Sequence, residues 1–336
     1  MDKKIFAVCD KEEKYLHRIM EYFEKQEHLP FTICAFTCIE ELKKFSGKKE
    51  TELLLIAENS YAEELKELSI RHIMILNESG GETGKGIKNI NKYQSSEGIL
   101  REIMESYTGE AGDISRRLRA GGRMKIIGNY TPVRRCLQTT FALSMGQILA
   151  KNHKVLYLNF ESYSGFSFLL NREFAADITD VLYYFNCEKE KLAYRLAGMV
   201  QSLNGMDFIP PVVSYKDLSS ITGEQWLRLF QEIETASCYE YLILDLSEQM
   251  HGLFDILKQC FRIYTITRED SFAAAKIKQY EAMLHMTDNE DVSAKTRTWS
   301  LPVFHRLPCG LEQLTHGELA GYVKKIIEED IYGQAG

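Results

Sequence analysis

Residues 129–161 read NYTPVRRCLQTTFALSMGQILAKNHKVLYLNFE. The five residues Met124-Lys125-Ile126-Ile127-Gly128 precede them as a short apolar run, the mark of a buried strand. A turn stiffened by Pro132 follows, and then an apolar stretch through Phe141–Ala150 that is long enough for a helix. Lys154-Val155-Leu156-Tyr157-Leu158-Asn159 is the next strand. Strand, loop, helix and strand in this order make a βαβ unit, which implies a parallel sheet.

Downstream, Tyr241-Leu242-Ile243-Leu244-Asp245 is an apolar run that ends in a carboxylate. Leu246–Gly252 follows as a turn, Ile263–Thr267 as a further strand and Ser271–Met286 as a helix. Residues 285–302, HMTDNEDVSAKTRTWSLP, offer no clear strand, so Pro302-Val303-Phe304 is expected to supply the last strand or loop. Gly317–Asp330 reads as a final helix with Leu319, Tyr322, Val323, Ile326 and Ile327 at helical spacing. Its Lys324 and Lys325 are offset by Glu318, Glu328, Glu329 and Asp330, so docking on the domain's own sheet is expected rather than binding to anionic lipid. Met199, Met206 and Met250 read as packing residues.

Upstream, strands and helices alternate. Strands are expected at Ile5–Cys9, Phe31–Phe36, Leu53–Ala57, Ile73–Leu76 and Ile87–Tyr93. Helices are expected at Glu12–Gln26, Ile39–Phe45, Ala62–Leu68 and Ser96–Ser106. Thr108–Gly122 is polar and Gly-containing and reads as a linker, with Arg116, Arg117, Arg119 and Arg123 forming a solvated face. The expected organisation is residues 1–107, a linker at 108–122, and 123–336.

The whole chain has 336 residues, with 41 Lys+Arg against 48 Asp+Glu, a net charge of −7. That acidic balance argues against a general nucleic-acid binder. No run approaches the roughly 18 apolar residues of a membrane-spanning helix. The N-terminus, MDKKIFAVCDKE, reads as a strand soon interrupted by charge, not a signal peptide. Cys34 and Cys38 are the only close cysteine pair and have no second pair beside them, so reduced thiols in a cytosolic setting are expected rather than zinc.

The five strand–helix repeats at the start resemble a response-regulator receiver domain. A receiver holds Mg²⁺ with acids after its first strand and takes a phosphoryl group on an Asp after its third. Here Asp10 is followed by Lys11, and the third strand ends in Ala57-Glu58. The phosphoacceptor is missing, although Lys92 stands where a receiver's lysine would be. A receiver-shaped docking domain without phosphotransfer is the expectation.

The stretch at 129–161 resembles the opening of the MinD/ParA class of P-loop ATPases, whose loop reads Lys-Gly-Gly-x-Gly-Lys-Thr-Thr. Against it stands Val133-Arg134-Arg135-Cys136-Leu137-Gln138-Thr139-Thr140. The resemblance implies nucleotide contacts at Arg134, Arg135, Gln138, Thr139 and Thr140, and Mg²⁺ at Thr139 and Asp245 if nucleotide binds. The glycines of such a loop permit left-handed backbone and close approach of amides to phosphate. A bulkier residue there costs roughly 1–2 kcal/mol, so a different loop path is expected. Gln138 lacks the lysine's charge. Thr139 either meets Mg²⁺ or caps the helix. The class's Asp-x-Asp is replaced by Asn159-Phe160-Glu161, which lacks the carboxylate that orients water.

A receiver-like domain joined to a MinD-like one is the arrangement of the TadZ/CpaE proteins, which position the machinery of Flp/Tad-type pili. The segments 157–161 and 179–182 and Asp245 carry the resemblance. It implies an α/β fold of two parallel sheets, receiver-like (flavodoxin-like) and then P-loop NTPase-like. The implied role is a non-catalytic or weakly nucleotide-binding scaffold, a cytoplasmic homodimer at the inner membrane face or cell pole. Its partners would be a pilus assembly or secretion ATPase and related machinery, with no nucleic acid and no integral membrane segment. No cofactor is required by this reading; ATP and Mg²⁺ are allowed. The alternative is an ATP-dependent dimerisation switch with weak ATPase activity.

Overall fold

The computed structural model describes residues 4–26, 29, 31–78, 83–84, 86–107, 123–187 and 192–333. These group into two units, one drawn from Met1–Ile114 and Glu190–Gly198, the other from Ser115–Lys189 and Met199–Gly336. The expected linker, with Arg116, Arg117 and Arg119, lies outside the described residues.

In the first unit the apolar runs become strands because burial on both faces suits them. Its elements are β1 (Lys4–Cys9), α1 (Glu13–Glu24), β2 (Phe31–Phe36), α2 (Ile39–Ser46), β3 (Thr51–Ala57), β4 (Ile70–Asn77), β5 (Lys88–Asn91) and α3 (Ser96–Ser106). Ala62–Leu68 does not form an α-helix: only a 3₁₀ turn at Glu63–Glu67 occurs, without a side-chain cap, in a segment too short to repay nucleation. β3 is buried along its whole length. The strands run parallel in the order β2-β1-β3-β4-β5, the flavodoxin-like order.

In that topology the carboxyl ends of β1 and β3 flank the crevice where ligands sit. Asp10 follows β1 there and is fully buried. Lys92, just after β5, is buried too, with Nζ 2.9 Å from Asp10 and 2.7 Å from Glu78. Glu12 stands 3.3 Å away, and the Tyr15 ring centroid 4.6 Å. These partners raise the Lys92 pKa against the opposing effect of burial. Glu58, which follows Ala57, accepts the Glu78 amide at 3.0 Å and the Thr83 hydroxyl at 2.7 Å. Among the described residues, no group of three or more His, Cys, Asp or Glu side chains is placed to hold a metal.

The second unit's elements begin with β6 (Lys125–Asn129), α4 (Gln138–Leu149), β7 (Val155–Asn159), α5 (Phe166–Leu169) and α6 (Ile178–Cys187). After α7 (Leu192–Met199), which groups with the first unit except for its last residue, come β8 (Gln201–Leu203), β9 (Met206–Phe208), α8 (Tyr215–Ser219) and α9 (Gly223–Ala236). The chain continues through β10 (Tyr241–Asp245), α10 (Leu253–Gln259), β11 (Arg262–Thr267), α11 (Ser271–Met286), α12 (Glu290–Lys295), β12 (Thr296–Ser300) and α13 (Gly317–Ile327). The sheet order is β12-β11-β6-β10-β7-β9-β8, parallel except for the β8–β9 hairpin.

Three strands go beyond the sequence expectation. β12 forms within the stretch that showed no apolar run and pairs in parallel with β11, while Pro302-Val303-Phe304 is irregular. As an edge strand it is only half buried, so it needs no continuous apolar pattern. The β8–β9 hairpin turns on Asn204 and Gly205, both at positive φ, 51° and 81°. Asn-Gly is a strong short-range hairpin signal, so this turn was legible in the sequence.

α4 is buried almost all round, as a central helix must be. α13 packs against it and shares its core, with Leu319, Val323, Ile326 and Ile327 buried. Ser144 and Gln147 on α4 satisfy themselves on the Leu314 and Leu311 carbonyls at 2.7 and 2.9 Å. The final helix is thus committed to its own unit. Met199, Met206 and Met250 are all buried. No helix of the described residues is long and apolar enough to cross a membrane.

Replacing Lys92 with Met keeps the apolar stem but strands the Asp10 carboxylate without its counter-charge. Loss of one partner from a buried ion pair costs about 3–5 kcal/mol. Hydrogen exchange on the full chain should show β1 and β5 amides losing protection by that amount; unchanged protection would refute a structural role for the lysine.

Candidate functional site

β6, β10 and β7 lie side by side, with Asp245 in register with Asn129 on one side and Asn159 on the other. The chain leaving β6 must therefore turn over these strand ends to enter α4. The turn is pinned at its start by the Thr131 hydroxyl, which accepts the Val133 amide at 3.1 Å. Val133 and Cys136 are both buried and point into the core, and the Cys136 thiol donates to the Val133 carbonyl at 2.9 Å.

Arg135 and Leu137 have φ of 58° and 69°. These are two of the three positions where the P-loop pattern carries glycine. Bulkier residues are expected to avoid left-handed backbone, yet at these two positions, though not at Arg134, the chain adopts it. Each such residue costs roughly 1–2 kcal/mol, and the buried neighbours on both sides over-determine the turn. Leu137 is the residue that precedes α4, and no side chain caps the helix. Thr139 therefore does not act as the cap; its hydroxyl is near enough to Asp245 to lower that carboxylate's pKa.

Asp245 is fully buried and is the centre of the site. Oδ1 accepts the Gln138 amide at 2.6 Å, and the same Nε2 donates to the Leu246 carbonyl at 3.0 Å. Oδ2 accepts the Tyr157 hydroxyl at 2.9 Å and the Asn159 amide at 3.0 Å. Burial raises the Asp245 pKa, and the bonds from Gln138, Thr139 and Tyr157 pull it back down. The tyrosine was not among the residues singled out from sequence. Its signal was its i, i+2 spacing from Asn159, which puts both on one face of β7.

The remaining expected residues line a cleft of about 270 Å³ above this network. Arg134 pairs with Glu248, and Arg135 is exposed. Thr139, Thr140, Glu161 and Tyr163 face the same cleft. Burial and the Asp245 charge push the Glu161 pKa up to about 7, with Glu248 adding to the rise and Arg134 opposing it. The segment after β10 is fixed as well. The Ser247 hydroxyl donates to the Phe160 carbonyl at 2.6 Å. A Cβ on Gly223 would stand 2.7 Å from the Gly252 Cα, and Gly252 is itself at φ 73°.

As arranged, these residues do not fit Mg²⁺ between Thr139 and Asp245, because protein donors are aimed at both carboxylate oxygens. Nor does Gln138 supply the cation that a phosphate chain would meet. The cleft is slightly smaller than the roughly 300–1,000 Å³ of small-molecule sites.

No protein-family model matches the sequence, and no curated protein matches it. Among solved structures, a ParA family ATPase from Chlorobium tepidum is similar with TM-score 0.44 at 14 % identity, over 62 % of this chain and 93 % of that one. The ATP complex of a Cyanothece McdA variant gives 0.41 at 14 %, over 62 % and 80 %. The MinD cell division protein of Aquifex aeolicus gives 0.40 at 17 %, over 53 % and 70 %. All three likenesses lie below a TM-score of 0.5 and 20 % identity.

Two outcomes follow from the network. Gln138→Leu removes a donor from a buried carboxylate and should lower stability by about 1–3 kcal/mol, read from the denaturation midpoint. Glu161 in the folded chain keeps its proton up to about pH 7, whereas its ordinary value is 4.5. Folding then takes up a proton between those values, so this group's contribution worsens as pH rises through the window and is constant above it. Glu161→Gln should accordingly stabilise the protein at pH 8, on the order of 1–2 kcal/mol after allowing for solvent screening, and give no gain at pH 4. A pH-independent difference in melting temperature would refute this assignment.

Proposed function

We propose that this chain is a docking scaffold of MinD/ParA shape that does not turn over ATP. The sealing of Asp245 by Gln138, Tyr157 and Asn159 carries the reading. Phosphoryl transfer relies on fixed cations and a positioned water rather than on covalent chemistry by the protein. Here the lysine position holds an amide that is already used inside the protein. The water-orienting position holds Asn159, whose amide is bonded to Tyr157 and Asp245. Losing one preorganised charge-stabilising donor typically costs 10²–10³ in rate, and several are absent together.

The finer role is of the TadZ/CpaE kind: a homodimeric localisation factor for a Flp/Tad-type pilus or secretion machine. It would recruit an assembly ATPase at the inner face of the membrane or the cell pole. A receiver-shaped part without its phosphoacceptor, followed by a MinD/ParA-shaped part, supports that reading. The two parts would offer separate docking faces.

A second reading is an ATP-dependent dimerisation switch with weak ATPase activity. One observation favours it: Arg135 and Leu137 keep a phosphate-loop backbone at a steric cost. It is also closer to the names of the structural neighbours, one of which is an ATP complex. Binding would then have to draw Gln138 away from Asp245.

Calorimetry and phosphate release with ATP and Mg²⁺ separate the two. The scaffold reading expects no saturable heat at millimolar ATP and no turnover above background. In the Gln138→Lys/Leu137→Gly variant, binding should appear where the wild type has none. Mg²⁺-dependent ATP binding coupled to dimerisation of the wild type would overturn the scaffold reading and establish the switch.

A further inference from the structure

At the opposite end of the second sheet, where β6 starts and β11 begins, there is a second cleft of about 570 Å³. That volume lies well inside the range of small-molecule sites. Its floor is apolar: Met124 and Phe230 are buried, Ile126 and Leu227 partly so. Its rim carries Lys125, Lys258 and Lys295.

These lysines differ from the surface lysines that are paired. Lys25 and Lys43 each sit 2.7 Å from a glutamate. Among the described residues, none of the three rim ammonium groups has a carboxylate within ion-pair distance. Lys125 is held by aromatic faces, 5.1 Å from the Phe261 centroid and 5.8 Å from that of Tyr241. Lys295 donates to the Lys258 carbonyl at 2.6 Å, which keeps its head at the rim. The lining's one carboxylate, Glu234, is engaged by the Met124 amide at 3.1 Å and by Arg123 at 3.8 Å. A chain with net charge −7 thus gathers unneutralised cations around a concave apolar floor.

We infer that this cleft binds a small amphipathic anion, its apolar body on the Met124–Leu227–Phe230 floor and its carboxylate, sulfonate or phosphate head against Lys125, Lys258 and Lys295. The walls come from β6, α9, the α10–β11 turn and α12, which together form a concavity of the size of a compact ligand. Ammonium groups clustered beside an apolar surface attract an anionic head, and salt screens that attraction. The site is independent of the Asp245 network, since it stands at the other end of the strands.

The test uses the full chain and 8-anilinonaphthalene-1-sulfonate, with neutral N-phenyl-1-naphthylamine as comparator. Fluorescence titration should give saturable, salt-weakened binding of the sulfonate in the micromolar range. Lys125→Gln/Lys258→Gln removes charge, and Leu227→Trp fills the floor while leaving the charge. Each should weaken binding at least about tenfold with an unchanged circular dichroism melt, whereas Phe168→Ala, at an exposed apolar residue elsewhere, should not. Sulfonate binding unaffected by both cleft variants, equal affinity for the neutral dye, or no saturable binding would each overturn the inference.

Discussion

A carboxylate with no solvent access must be answered by donors or by a cation, because its desolvation otherwise costs several kcal/mol. Asp245 meets this demand with side chains from two elements, Gln138 on α4 and Tyr157 and Asn159 on β7. The same requirement therefore ties the central helix to the sheet. Through the bond from Gln138 to the Leu246 carbonyl it also anchors the segment that follows β10. Ser247 on the Phe160 carbonyl and the close approach of Gly223 to Gly252 hold that segment further along. The region where a nucleotide-driven protein would need freedom to move is braced at several points.

The first unit solves a parallel problem in a parallel way. Asp10, buried at the end of β1, has Lys92 as a resident counter-ion, and Glu78 shares it. In both units a carboxylate at the carboxyl end of a parallel sheet is answered by the chain's own groups, a lysine for Asp10 and uncharged donors for Asp245. Neither Ala57, which ends β3, nor Gln138, which opens α4, carries a charge or a nucleophile. Both sites keep the architecture of a ligand crevice and fill its polar requirements internally.

Arg135 and Leu137 show how far local preference bends to such a framework. Left-handed backbone is unfavourable for both, yet the turn between β6 and α4 has little choice. Val133 and Cys136 are sunk in the core, and Gln138 is bonded to Asp245. Strain of roughly 1–2 kcal/mol per residue is small beside burial and a satisfied carboxylate. The same logic explains β12, a polar and half-exposed strand that forms because β11 offers it an edge.

Sequence alone determined the buried strands, the alternation of strand and helix, and the absence of a loop lysine, because each is written in residue type and period. The resemblance to the MinD/ParA class singled out Thr139, Asn159, Glu161 and Asp245. Only the tertiary structure decided which donors Asp245 would take, that Tyr157 is one of them, and that the turn keeps its left-handed residues. It alone revealed the basic cleft, whose lining comes from segments as far apart as Arg123 and Lys295. Hydrogen-bond partners and cavity walls are set by which distant side chains packing brings within about 3–4 Å, and no local pattern encodes that.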